Sequence, residues 1–243
     1  MAKKLKVGFD LDGVLLYNPA RIIRPIISLL KQKKLVHRQE LEFFVPKTKF
    51  QENMWHFFHK SSIFLAPGFY QIRELSQQGL IEPYIITARF AHLKKDFTKW
   101  LTKMGANEFL KGTYLNEKDE QPHLFKKRII KKLDLDIFVE DNWDIVNYLN
   151  TSLNSSSYCN KVCESKQFGS VVQLKECLTQ CDLISKDSNE KKSKGKKKTN
   201  KSKKKKAVKI IWVYNIFDRK IDYALKVPHL KQSLSCIKHY LNT

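Results

Sequence analysis

Alternation of apolar and polar positions gives the first reading of this chain. Leu5, Val7, Phe9 and Leu11 alternate with no charge between Lys6 and Asp10, which predicts a buried strand over 5–11. The i, i+3, i+4 spacing of Ile22, Ile23, Ile26, Ile27, Leu29 and Leu30 predicts an amphipathic helix over 19–33. Phe43-Phe44, Trp55, Phe57 and Phe58 mark a second helical stretch rich in aromatics. Pro67-Gly68 breaks the chain, and a helix over 69–79 ends at Gly79. Tyr84–Thr87 reads as a buried strand, 91–104 as a helix, 109–115 as a short strand and 122–133 as a helix. Asp136–Asp141 is a strand that ends in acids, and a helix follows through Leu149. Val208–Tyr214 is a further apolar strand, and 228–241 a closing helix.

Strands alternating with helices imply an α/β fold, a Rossmann-like doubly wound parallel sheet. Residues 1–16, 67–150 and 207–243 would form this core, with 17–66 inserted after the first strand as a small helical cap. An insertion over 151–185 carries twin Cys-x-x-x-Cys pairs, and 186–206 is a lysine-rich segment too polar to fold.

Charge changes the picture. The net +22 is uneven: 186–206 holds twelve lysines against Asp187 and Glu190, ten of the net charge, and +12 lies on the rest. The folded part is basic in its own right, which suits anionic ligands. With 15 Phe, 9 Tyr and 4 Trp, 243 residues are enough for one α/β core with a small accessory element. No apolar run has the length of a membrane span and no signal-type segment opens the chain, so a cytoplasmic, reducing compartment and no membrane partner are expected. Oligomeric state is open.

The chemistry concentrates at strand ends. Asp10 and Asp12, at i and i+2, share a face of a strand, so both carboxylates converge on one small volume beside Gly13. Like charges that close call for a cation, and a hard oxygen-preferring ion such as Mg²⁺ is the usual one. Thr87 and Glu140-Asp141 fall at two other strand ends, where ligands bind in parallel sheets. Each also has a plain reading: Asp-x-Asp-Gly as a turn, Thr87 as a helix cap, Asp144 as an exposed helix-face charge.

The segments Asp10-Leu11-Asp12-Gly13-Val14, Ile85-Ile86-Thr87-Ala88-Arg89, Lys126 and Phe138-Val139-Glu140-Asp141-Asn142 resemble the four ordered motifs of the haloacid dehalogenase-like (HAD) phosphohydrolases. The Thr-Ala-Arg and Glu-Asp-x variants with a small helical cap look most like the 5′(3′)-deoxyribonucleotidase-like group. The resemblance covers roughly 1–150 and 207–241 and leaves out 151–206. It implies Asp10 as nucleophile, forming an aspartyl-phosphate, and Asp12 as general acid–base. It implies Mg²⁺ held by Asp10, the backbone carbonyl of Asp12 and Asp141. Thr87, Ala88 and Lys126 would bind phosphate, and Glu140 would orient its neighbours. The substrate it implies is a nucleotide or similar small phosphometabolite.

Three features stay open at this level. The aromatic cluster suits either the cap's own core or a stacking platform for a base. Cys159, Cys163, Cys177 and Cys181 suit zinc, disulfides or, most simply, free thiols. Lys191–Lys206 suits a solvated loop or nonspecific attachment to nucleic acid. A nucleic-acid-associated protein, either a non-catalytic scaffold or an end phosphatase recruited by that loop, is therefore the alternative function.

Overall fold

A computed structural model of the chain describes residues 4–17, 41–60, 64–154, 207–214 and 218–241. The expected helix over 19–33, the four cysteines Cys159, Cys163, Cys177 and Cys181, and the lysine-rich segment lie outside them. By packing, the chain divides into Met1–Leu149 with Val208–Thr243 as one unit and Asn150–Ala207 as another.

The first strand, β1 (Leu5–Phe9), is the middle of the fold because both of its faces are covered. Val7 and Phe9 are fully buried on one side. On the other, a Cβ added at Gly8 would sit 2.6 Å from Leu135 Cδ1 and 2.9 Å from Phe138, so only glycine fits there. A two-residue strand, β2 (Leu16–Tyr17), follows, and its antiparallel partner β3 (Phe64–Leu65) comes after helix α1 (Lys49–Lys60). This short ladder brings together the two ends of the 17–66 stretch.

The remaining elements run α2 (Phe69–Gln77), β4 (Ile81–Phe90), α3 (Lys94–Lys103), β5 (Gly112–Asn116), α4 (Pro122–Leu133) and β6 (Ile137–Glu140). Then come α5 (Trp143–Asn154), β7 (Lys209–Val213), β8 (Lys226–Val227) and α6 (Leu230–Leu241). Six strands form one sheet in the order β5-β4-β1-β6-β7-β8, with every neighbouring pair parallel. The expected α/β parallel sheet is what the chain forms.

Strand parity decides which helix each side chain meets. Val7, Phe9, Ile85, Ile137, Val139 and Ile211 share one buried cluster with Phe69 and Ile72 of α2, Phe97 and Leu101 of α3, and Leu234 and Ile237 of α6. From β1 the chain steps to β4 and β5 on one side, then returns to β6 on the other. That reversal puts a crevice beyond the C-terminal end of β1, the usual ligand position in such sheets.

Two expectations shift. Phe43-Phe44 is irregular chain rather than helix. The helix starts only at Lys49 because Thr48 Oγ1 accepts from the Gln51 N–H (3.3 Å) while Gln51 Oε1 accepts from the Thr48 and Lys47 N–H groups (3.3 and 2.8 Å). This Thr-x-x-Gln reciprocal cap fixes the start. The strand expected over 84–87 runs from Ile81 to Phe90, with a register shift against β5 between Thr87 and Phe90. Among the described residues no helix is long and apolar enough to cross a membrane.

Candidate active site

The last ladder bond of β1, from the Asp10 N–H to Val139 O (2.9 Å), holds Asp10 beside β6 as the chain leaves the sheet. Gly13 then takes φ +92°, a left-handed turn, and donates its N–H to Leu16 O (2.8 Å). Asp10 Oδ1 accepts the Leu11 N–H at 2.8 Å, which leaves Oδ2 to face Lys126 Nζ at 2.9 Å. Lys126 comes from α4 and is 2% exposed. Its ammonium also donates to Glu140 Oε2 at 2.7 Å, and Glu140 Oε1 accepts the Asn142 N–H at 3.1 Å. Asn142 Oδ1 in turn accepts the Asp144 N–H at 3.0 Å, capping α5. Asp141 is thereby pinned between the end of a strand and the start of a helix. Trp212, fully buried on β7, donates its indole N–H to Asp141 O at 3.2 Å.

Asp10, Glu140 and Asp141 each offer a carboxylate oxygen, and these oxygens lie within 4.8 Å of one another. Three buried carboxylates against the Lys126 ammonium leave a charge of about −2 if all are ionised. Burial pushes the Asp10 carboxyl up from its ordinary range; Lys126 opposes this, and Asp141 and Asp12 add to it. Burial likewise pushes Glu140 up to about 8 against the pull of Lys126. For Lys126, burial alone would lower the pKa, but Asp10 and Glu140 outweigh it and the group stays an ammonium. The donor set, all carboxylate oxygen and carrying a charge of about −2 against Lys126 once ionised, fits a hard divalent cation such as Mg²⁺.

A pH dependence follows. Asp10 and Glu140 hold protons more tightly folded than unfolded, so the metal-free fold carries the extra protons. The contribution of Glu140 to stability is fully present below its ordinary value of 4.5 and is lost as pH rises toward about 8, and that of Asp10 changes in the same direction. A bound cation replaces those protons, so the gain in melting temperature on adding Mg²⁺ should grow across the same window. Thermal denaturation at both ends of it, with and without Mg²⁺, measures this; an equal gain at both ends would contradict it.

Asp12 is engaged differently. Arg89 grips its carboxylate with two bonds, Nε to Oδ2 and Nη2 to Oδ1, both 2.7 Å. The two side chains are 5% and 14% exposed. Burial alone would lower the Arg89 pKa, and Asp12 more than offsets this, so the guanidinium charge is secure. The Arg89 N–H donates to Thr87 Oγ1 (3.2 Å), and Thr87 is buried at the β4 register shift with Ala88 half-buried beside it. From α1, His59 Nε2 lies 3.9 Å from Asp12 Oδ2, while His59 Nδ1 donates to Trp55 O at 2.8 Å.

The structure thus brings Asp10, Lys126, Glu140 and Asp141 into one buried nest and links Asp12 to Thr87 through Arg89. Asp144 is exposed on the first turn of α5. Sequence reasoning gave no role to Arg89, His59 or Trp212. For Arg89 a signal existed: an arginine on a buried strand needs a carboxylate partner. The aromatic stretch divides. Trp55 is half-buried against Phe90 (centroids 6.2 Å) and Phe44 (5.6 Å), whereas Phe57 is 74% and Phe44 51% exposed. The Phe58 side chain lies outside the described residues.

No protein-family model matches the chain, and no curated protein does. Among solved structures it is similar to a haloacid dehalogenase-like family hydrolase from Streptococcus pneumoniae, at 16% identity and TM-score 0.36, over 61% of this chain and 81% of that one. It is similar to a HAD-superfamily hydrolase from Ehrlichia chaffeensis at 11% identity and TM-score 0.36, over 61% and 84%. It is also similar to CbbY from Rhodobacter sphaeroides, in complex with phosphate, at 9% identity and TM-score 0.45, over 95% and 96%.

Proposed function

We propose that the chain is a Mg²⁺-dependent phosphohydrolase of the HAD-like kind, acting on a phosphomonoester through an aspartyl-phosphate. The observation that carries the reading is the Asp10 carboxylate, outside the C-terminal end of the central strand, with Lys126 at 2.9 Å and Asp141 and Glu140 beside it. Asp10 Oδ2 attacks phosphorus, and the leaving oxygen departs with a proton from Asp12. In the second half Asp12 takes a proton from the water that opens the acyl phosphate. Arg89 fixes the position of Asp12 through both of its carboxylate oxygens, and the Thr87 hydroxyl, Ala88 and Lys126 bind the phosphoryl oxygens. Asp10, Asp141 and the Asp12 carbonyl would hold Mg²⁺, with Glu140 orienting Lys126 and Asn142 around them. When bound there, the cation supplies charge neutralisation for the phosphate and in-line alignment.

In this reading 17–66 is a cap over the crevice, and a nucleotide is the first substrate class, as in the 5′(3′)-deoxyribonucleotidase-like group. Trp55 and the exposed Phe44, tilted 40° to each other, offer aromatic faces near His59 against which a base can stack. The test is phosphate release from an aryl phosphate and from a panel of nucleoside monophosphates and sugar phosphates. Release is expected with Mg²⁺ and should disappear on chelation. Equal turnover in chelator, or none across the panel, would sink the proposal.

A further inference from the structure

Helix α3 turns Phe97 and Leu101 into the core and presents Lys94, Lys95, Lys99 and Lys103 to solvent. Lys94 pairs with Glu117 at 3.0 Å. Among the described residues, Lys95, Lys99 and Lys103 make no ion pair. They stand at i, i+4 and i+8, so they share one face in steps of about 6 Å along about 12 Å of helix. Like charges at that spacing repel and weaken a helix, so local stability does not account for the ridge. Between the lysines, the Thr98 and Thr102 hydroxyls donate back to Lys94 O (3.0 Å) and Thr98 O (3.2 Å). Lys94, Lys95, Thr98, Lys99, Thr102 and Lys103 together form one open, exposed face of the helix.

The ridge starts on the chain that leaves the strand-end site. α3 follows β4, the strand that carries Thr87 and Arg89, after one 3-10 turn over Ala91–Leu93, and Asp96 in its first turn is paired with His56 of α1, the helix whose His59 lies 3.9 Å from Asp12. We propose that this ridge is a track for the phosphodiester backbone of a single-stranded nucleic acid whose terminal phosphomonoester enters the Asp10 site. The inference rests on the phosphatase reading and deepens it, since the terminal residue of such a strand is itself a nucleotide.

Regularly stepped cations along one helix face suit a regularly stepped polyanion. A lipid surface is disfavoured because no apolar side chain projects from the ridge; Trp100 turns inward, stacked on Phe97 at 6.5 Å and 11°. Lysine contacts to the phosphate backbone carry no sequence information, so binding is sequence-independent. The twelve lysines of 186–206 would add to the general attraction of an anionic strand.

The test compares full-length wild type with the triple variant K95Q/K99Q/K103Q, whose exposed positions and similar helix propensities preserve the fold. Turnover of an aryl phosphate should be the same in both. On short 5′- and 3′-phosphorylated oligodeoxynucleotides, three phosphate contacts correspond to a salt slope of about −2, roughly 20-fold in kcat/KM over a fourfold salt range. The variant should lose that share on at least one of the two ends. Equal slopes in both proteins, or aryl phosphate turnover with neither oligonucleotide hydrolysed, would overturn the track. So would inhibition by poly-glutamate as strong as by an unphosphorylated strand, which marks a surface for acidic proteins. If wild type hydrolyses no aryl phosphate, the phosphatase reading fails by itself. Oligonucleotide binding by fluorescence anisotropy then decides the ridge: a slope difference of about 2 supports it and none overturns it.

Discussion

Replacing Asp10 by asparagine is expected to abolish phosphate release, by at least about a thousandfold, while the protein stays folded and loses little metal-free stability. The activity loss follows from chemistry. An amide has no nucleophilic carboxylate oxygen, so the aspartyl-phosphate cannot form. The intact fold follows from the geometry. Asparagine keeps one oxygen to accept the Leu11 N–H, now made to Asp10 Oδ1 at 2.8 Å; its NH₂ then faces Lys126, which loses that acceptor and retains Glu140 at 2.7 Å. One buried carboxylate fewer also lowers the charge of the fully ionised nest from about −2 to about −1. Because burial holds the Asp10 carboxyl above its ordinary range, removing its charge relieves the fold. Turnover, thermal denaturation and mass measurement of the trapped phosphoprotein check this together. A variant that still hydrolyses substrate would remove Asp10 as the nucleophile; one that is inactive only because it is unfolded would contradict the electrostatic account.

The parts of this site that could be read from sequence are those a strand carries to its own end. Alternation over Leu5–Leu11 places Asp10 just past a buried strand, and the apolar run into Glu140-Asp141 does the same for β6. The bounds of α4 could be read as well: Pro122 suits a first helical turn, and Asp134 closes the helix at φ +52°. Pairings between distant residues left no such trace. Asp12 and Arg89 are 77 residues apart, and Trp212 and Asp141 are 71 apart. Periodicity reports that each is on a buried element and is silent about its partner. The aromatic count misplaced the start of α1, because the Thr48–Gln51 cap decides it and the aromatics at 43 and 44 do not. The strands β2, β3 and β8 have two residues each, too short for any alternation, and exist only through their partners.

Lys126→Met is expected to cost about 3–5 kcal/mol of metal-free stability and to remove turnover as well. Methionine has nearly the length of the lysine stem, so packing at a position 2% exposed is largely preserved. What disappears is, among the described residues, the cation that touches both Asp10 (2.9 Å) and Glu140 (2.7 Å). The nest would then hold three buried carboxylates without the Lys126 ammonium, and each must take up a proton or remain charged where burial penalises the charge. At about 2–4 °C per kcal/mol for a domain of this size, the melting temperature should fall by roughly 6–20 °C. Two further readouts separate charge from packing. Lowering the pH supplies the missing protons, so the deficit should shrink below the window in which Glu140 titrates, up to about 8. Mg²⁺ supplies positive charge directly, so the variant should gain more from it than wild type does. A melting temperature that is unchanged, or a loss that neither acid nor Mg²⁺ relieves, would show that Lys126 fills space beside Asp10 rather than balancing it.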